Sequence, residues 1–271
     1  MSVGGMTLAL LHVDFFSDVL GMRTEMDVIL PQPTQGQIGI AEQSANATCQ
    51  TLYLLHGMSD DHTIWQRRTS IERYVAMYNL AVVMPTTHLG WYTNMHMGYD
   101  YFTHIAIELV QVTRGMFRQL STRREDTFVA GLSMGGYGAL KLGLLANDTF
   151  SHAAALSGAL DAVEVCEHPM DSNPLWVNVF GPADQVRGTD NDLMAVAERL
   201  PVDKRPNVFI WCGRQDFLYQ QNLRMRDHLN ALGYDLRYSD SPGNHNWECW
   251  DEQIQQVLQW LPLEGGGNPW R

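Results

Sequence analysis

The stretch from Thr127 to Gly138, TFVAGLSMGGYG, constrains the fold more than any other part of the chain. Phe128-Val129-Ala130 is an apolar run suited to a buried strand. Gly131-Leu132-Ser133-Met134-Gly135 interrupts it, and Tyr137 to Leu142 resumes with helical spacing. A serine on so sharp a strand-to-helix corner has strained backbone angles. Its neighbours two residues either side approach too closely to carry side chains, a demand met by Gly131 and Gly135. The corner lifts the Ser133 hydroxyl out of the sheet edge at a helix N-terminus, where the dipole favours developing negative charge.

A serine so placed needs a base within hydrogen-bond reach and a third group to orient that base. Around a nucleophile of this kind the partners follow in the order acid, then histidine, each at or just beyond a strand end. Two histidines come late enough, His228 and His245. His228 falls within helical spacing, whereas His245 sits in the loop Pro242-Gly243-Asn244-His245-Asn246-Trp247 after the last strand, and is the candidate base. Asp216, just past the Val208–Cys212 run, is the favoured acid; Asp240, five residues before His245, is the alternative. The oxyanion formed on attack requires two preorganised N–H donors. One is the backbone N–H of Met134; the other is expected from His56-Gly57-Met58, where Gly57 lets the chain turn inward and Met58 N–H donates. His56 reads as a brace for this loop. Trp91 and Tyr92, in an aromatic stretch after a strand end, are candidates for the wall of a substrate pocket, with ordinary rim packing as the alternative.

The rest of the chain fits an α/β fold with a mostly parallel central sheet and helices on both faces. Leu8–Phe16 and Glu25–Leu30 read as an antiparallel hairpin turning at Gly21-Met22, followed by a polar loop from Pro31 to Asn46. Strands at Thr51–Leu55, Leu80–Pro85, Phe128–Ala130, Phe150–Leu156, Val208–Cys212 and Asp235–Ser239 then alternate with helical stretches. Those are Thr63–Asn79, Tyr101–Leu120, the segment after Ser133, Asp192–Leu200, Leu218–Leu232 and Trp250–Leu261, with a Gly-rich tail at the end. From about 157 to 192 the alternation fails at Pro169, Pro174, Gly181-Pro182 and Gly188, which suggests an insertion or small cap over the sheet. With no linker and no repeat, residues 1–271 read as a single domain.

Composition removes several other functions. Eighteen basic against 30 acidic residues give a net charge of −12, which disfavours nucleic acid and anionic membrane as partners. No run approaches a membrane span, and no basic residue precedes the first apolar run as in a signal peptide, so a cytoplasmic location is expected. His88, His96 and His104 recur at eight-residue intervals without a carboxylate or cysteine at ligand spacing, and no phosphate-cradling loop is present. Neither a metal site nor nucleotide binding is therefore expected. Only two of the basic residues are lysines, Lys141 and Lys204.

Five blocks taken together resemble a known family: LLHG before a Trp-containing helix start, WYTNM followed by Gly98-Tyr99-Asp100-Tyr101, GLSMGGYGALKLG, CGRQDFLY and GNHNWECWD. They resemble the esterase D group of α/β-hydrolases, most of all bacterial tributyrin esterases. S-formylglutathione hydrolases, feruloyl and acetylxylan esterases and mycolyltransferases are more distant relatives. The likeness runs from about His12 to Trp260 and implies the α/β-hydrolase fold. It also implies Ser133 as nucleophile, Asp216 as acid and His245 as base, with Met58 and Met134 N–H groups for the oxyanion. Members act on small-molecule esters of short acyl chains without cofactor, and several are oligomers, so a homo-oligomer is an expectation. LLHGMSDD departs from the corresponding block of the glutathione-thioester hydrolases.

Overall fold

The computed structural model of the chain describes residues 7–32, 48–168 and 174–264. Leu8–Ser17 (β1) and Met22–Pro31 (β2) form the expected antiparallel hairpin, which turns through Gly21 at φ 65°. Six further strands follow: Gln50–Leu55 (β3), Leu80–Pro85 (β4), Thr127–Leu132 (β5), His152–Leu156 (β6), Asn207–Gly213 (β7) and Leu236–Ser241 (β8). They pair in parallel, and one eight-stranded sheet results, ordered β1-β2-β4-β3-β5-β6-β7-β8. This is the α/β architecture read from the sequence.

The three central strands β3, β4 and β5 are buried along their whole length, which is why they read as continuous apolar runs rather than alternating ones. Their side chains still alternate between two cores. Tyr53, Leu55 and Val129 join one cluster with Ile105, Leu109, Tyr137 and Met225. Leu52, Leu54, Phe128 and Ala130 join the other with Ile64, Trp65, Ile71, Val75, Ile254 and Val257.

Three helical readings need correction. The expected helix Thr63–Asn79 is two short ones, Ile64–Arg68 and Ile71–Val75. Between them the Thr69 hydroxyl donates to Trp65 O (2.6 Å) and accepts from Ile71 N–H (3.1 Å), a local alternative to the helical ladder. The helix from Tyr101 ends at Met116, not Leu120, and is wound as a π-helix over His104–Leu109. There Glu108 is bonded by His104 and by Ser17, Asp18 and Val19 of the β1–β2 turn. The last helix begins at Trp247, earlier than its periodicity suggests, because the Asn246 side chain caps it by accepting from Cys249 N–H (3.1 Å).

The 157–192 insertion contains the short helices Ala162–Glu167 and Leu175–Phe180 and leans on the segment after β4. His96 N–H donates to Val179 O (3.0 Å) and Met97 N–H to Asn178 O (2.8 Å). Residues 169–173 of the insertion, 33–47 of the polar loop and the Gly-rich tail 265–271 lie outside the described residues. Among the described residues no helix is long and apolar enough to cross a membrane.

Candidate active site

At the end of β5 the chain turns on Ser133, whose backbone sits at φ 53°, ψ −117°, where a non-glycine residue is strained. The corner is held from both sides. Ser133 N–H donates to Leu156 O (2.9 Å), and the Ser133 carbonyl accepts from Tyr137 N–H (3.1 Å) and Ala159 N–H (3.2 Å). A Cβ on Gly131 would stand 2.3 Å from Gly135 O, and one on Gly135 would stand 2.6 Å from both Leu55 O and His56 O. These neighbours are backbone atoms and cannot rotate away, so both positions demand glycine.

Two later loops converge on this corner. His245 Nε2 lies 3.0 Å from Ser133 Oγ, and His245 Nδ1 lies 2.8 Å from Asp216 Oδ2. The Asp216 side chain is wholly buried. Burial pushes its carboxyl up, but hydrogen bonds from His245, Leu218 N–H and the Ser157 hydroxyl hold it below the usual carboxylate range. An ionised Asp216 keeps the imidazole proton on Nδ1, which leaves Nε2 free to accept from the Ser133 hydroxyl. Asp240, the alternative acid, is turned elsewhere: it accepts from Arg214 Nε (2.6 Å) and Tyr219 OH (2.9 Å). His228 bonds Met194 O (3.1 Å) on a different helix.

The loop after β3 approaches from the other side. A Cβ on Gly57 would lie 3.7 Å from Ser133 Cβ, so the peptide joining Gly57 to Met58 borders the nucleophile. His56 controls that peptide. Its Nε2 accepts from Thr87 N–H (3.0 Å), so the ring proton is on Nδ1, which donates to Gly57 O (2.7 Å). Burial pushes the imidazole down to about 4, so it stays neutral in this role. A planar trans peptide points its carbonyl and N–H in opposite directions; fixing Gly57 O therefore aims the Met58 N–H. The second N–H, of Met134, is in the first turn of the helix Met134–Leu145, where no intrahelical carbonyl can reach it.

The aromatic stretch lies deeper than a pocket wall. Tyr92 is fully buried, its ring fills the space beside Gly138, and its hydroxyl donates to His56 O (2.9 Å). Trp91 is buried in a cluster of edge-to-face rings with Tyr137, Trp176 and Phe180. Both therefore brace the rim from beneath, and Tyr92 offers no surface to a substrate. The evenly spaced histidines have separate neighbours: His88 lies 3.3 Å from Tyr101 OH, His104 bonds Glu108, and His96 is near Gly181. Among the described residues no group of three or more His, Cys, Asp or Glu side chains is placed to hold a metal ion.

Sequence reasoning missed two residues here. Ser157, buried at φ 48° beyond β6, accepts from Trp250 Nε1 (3.2 Å) while bonding Asp216. Phe217 lays its ring 4.6 Å from the His245 ring. The Ser157-Gly158 pair after a strand end and the aromatic directly after Asp216 were the available signals.

A mostly parallel sheet that carries a strained serine at a strand–helix corner, with histidine and carboxylate in line, defines an α/β serine hydrolase. The chain belongs to the Esterase family, whose model, described as "Putative esterase", matches residues 17–261. It is a carboxylic ester hydrolase. It is 31% identical over 263 residues to an acetyl esterase of Caldicellulosiruptor saccharolyticus, covering 94% of this chain and 98% of that protein. Among solved structures it is similar to the fluorophosphonate-binding serine hydrolase F of Staphylococcus aureus, with TM-score 0.84 and 34% identity, covering 94% and 98% of the two chains. It is also similar to an S-formylglutathione hydrolase of Staphylococcus aureus, with TM-score 0.81 and 33% identity, covering 94% and 99%.

Proposed function

We propose that this protein is a serine carboxylesterase that hydrolyses small, short-chain acyl esters through Ser133, His245 and Asp216, as one domain and without a cofactor. The observation that carries the reading is the unbroken contact line from Asp216 Oδ2 through the imidazole to Ser133 Oγ, 2.8 and 3.0 Å. Ser133 Oγ attacks the ester carbonyl as His245 Nε2 takes its proton, and buried Asp216 stabilises the imidazolium. Met58 and Met134 N–H groups receive the developing oxyanion. Collapse breaks the bond to the alcohol oxygen, which leaves with the proton from His245. Water then attacks the acyl-enzyme, gives its proton to His245, and collapse returns that proton to Ser133 and frees the acid.

The short-chain preference is supported by the likeness to the acetyl esterase of Caldicellulosiruptor saccharolyticus. A second reading, glutathione-thioester hydrolysis, is favoured by the likeness to the Staphylococcus aureus S-formylglutathione hydrolase. Against it stands the −12 charge, which repels an anionic thioester at long range. Ser133→Ala, assayed on p-nitrophenyl acetate and on S-formylglutathione, tests both. The variant is expected to lose kcat on the order of a millionfold, as when other triads lose their nucleophile. More than about a tenth of wild-type turnover on the acetate would refute the assignment. Wild-type kcat/KM higher for S-formylglutathione than for the acetate would transfer the function to the thioester.

A further inference from the structure

We propose that Phe217 is a specificity-determining residue: a fixed platform for the departing alcohol that favours esters of aromatic or bulky apolar alcohols, an inference that rests on the serine-esterase reading above. The mechanism itself locates the leaving group. Its oxygen must receive a proton from His245 Nε2, so its first atoms lie within hydrogen-bond reach of that nitrogen. Whatever flanks the imidazole on its open side then meets the substituent carried by that oxygen.

Two aromatic rings flank the imidazole, and they differ in exposure. Trp250 packs at 4.8 Å between centroids, nearly perpendicular, and is buried, with its indole N–H held by Ser157. Phe217 lies 4.6 Å away, tilted by 48°, and is 64% exposed. A large apolar ring left this open beside a reacting group contributes little to the core; its surface becomes useful when something covers it.

The backbone that carries the ring is also held in place. Asp216 N–H donates to Gly213 O (3.0 Å), Leu218 N–H to Asp216 Oδ1 (2.9 Å) and Tyr219 N–H to Asp216 O (3.0 Å), so the backbone on both sides of Phe217 is fixed. The same turn is tied to the histidine loop, because Gln215 N–H donates to Gly243 O (3.0 Å) and Gly243 N–H to Gln215 Oε1 (2.8 Å). An aromatic surface on rigid backbone is covered by a ligand at little cost in conformational entropy. A planar or bulky apolar alcohol stacks on it as the tetrahedral intermediate collapses; a methyl or ethyl group is too short to cover it.

The test compares benzyl acetate with ethyl acetate, which give the same acetyl-enzyme and differ only in the alcohol. Phe217→Ala is expected to lower kcat/KM for benzyl acetate about tenfold, the size of one aromatic pair, and that for ethyl acetate by less than about threefold. Phe217→Tyr is expected to keep most of the benzyl activity. The deacylation rate, measured after rapid acetylation by p-nitrophenyl acetate, is expected to be unchanged in both variants, since no alcohol is present in that step. Equal losses on both esters together with slowed deacylation would overturn the proposal and leave Phe217 as a support for His245. No change on benzyl acetate would overturn it as well. Ser133→Ala, measured alongside, separates the two levels: its retained activity would refute the serine-esterase reading, whereas an inactive Ser133→Ala with no discrimination at Phe217 would refute only the platform.

Discussion

Lys141 is one of two lysines in the chain, and the only one of them that is buried. It lies on the helix that follows Ser133. Its Nζ donates to Thr93 Oγ1 and to Asn191 Oδ1 (2.6 Å), and it stands 5.5 Å from the ring centres of Phe102 and Tyr137. Among the described residues no carboxylate bonds it. Burial pushes the amine down from 10.5 to about 7, with the charge of Asp190 opposing only in part. At about 1.4 kcal/mol for each pH unit, a drop of that size sets a ceiling of about 5 kcal/mol on the penalty of keeping the charge inside. Replacement by methionine removes the penalty and gives up two hydrogen bonds from a charged donor, about 1.5 kcal/mol each. The Thr93–Asn191 bond (2.5 Å) survives, so neither oxygen is orphaned. Lys141→Met is therefore expected to be about 2 kcal/mol more stable than the wild type at pH 7.

The sign of the pH dependence follows from proton counts. Between about 7 and 10.5 the unfolded chain keeps the lysine proton that the native state has lost, so wild-type stability rises with pH across this window. Below pH 7 both states are protonated and the penalty is constant. Equilibrium urea unfolding of both proteins at pH 7, 8 and 9 measures the effect. Cysteines and tyrosines that titrate at high pH cancel in the difference between the two. The advantage of the variant is expected to shrink by about 2 kcal/mol from pH 7 to pH 9. A difference that does not change with pH, or a variant less stable by more than about 1 kcal/mol at pH 7, would refute the reasoning.

Three further outcomes follow from the site. Asp216→Asn is expected to lower kcat about ten-thousandfold, as when the acid of a serine-protease triad becomes an amide, while Asp240→Asn changes it less than about tenfold; steady-state kinetics that reverse this ranking would give the role to Asp240. Gly135→Ala drives a Cβ to 2.6 Å from Leu55 O and His56 O, and displacing that loop moves Met58. A loss of about 2 kcal/mol or more in unfolding free energy and at least about a hundredfold in kcat is expected, and near-wild-type turnover would show that the loop can yield. On p-nitrophenyl esters, kcat/KM is expected to rise modestly from acetate to butyrate and to fall at least about tenfold by octanoate, since each methylene that fits adds about 0.8 kcal/mol and each that does not costs about 1–3 kcal/mol in strain. Equal activity on octanoate would exclude the short-chain preference.

The corner at Ser133 was legible in the sequence because its demands are local. A strained serine needs glycine two residues either side, and that need is written as Gly131 and Gly135 whatever surrounds them. The parallel strands were legible for a similar reason: strands covered on both faces must be apolar throughout. The order of acid and histidine narrowed the partners to Asp216, Asp240 and His245, and the place of Asp216 past a separate strand end favoured it while leaving Asp240 as the alternative. That choice depends on where two loops meet, and Asp240 is drawn off by Arg214 and Tyr219. The depth of Trp91 and Tyr92, the split of the helix at Thr69, the role of Ser157 and the exposure of Phe217 against His245 were decided only by the tertiary structure. Each depends on what a distant segment brings alongside, and an aromatic or a serine carries the same local signal whether it is buried as a brace or left open beside a reacting group.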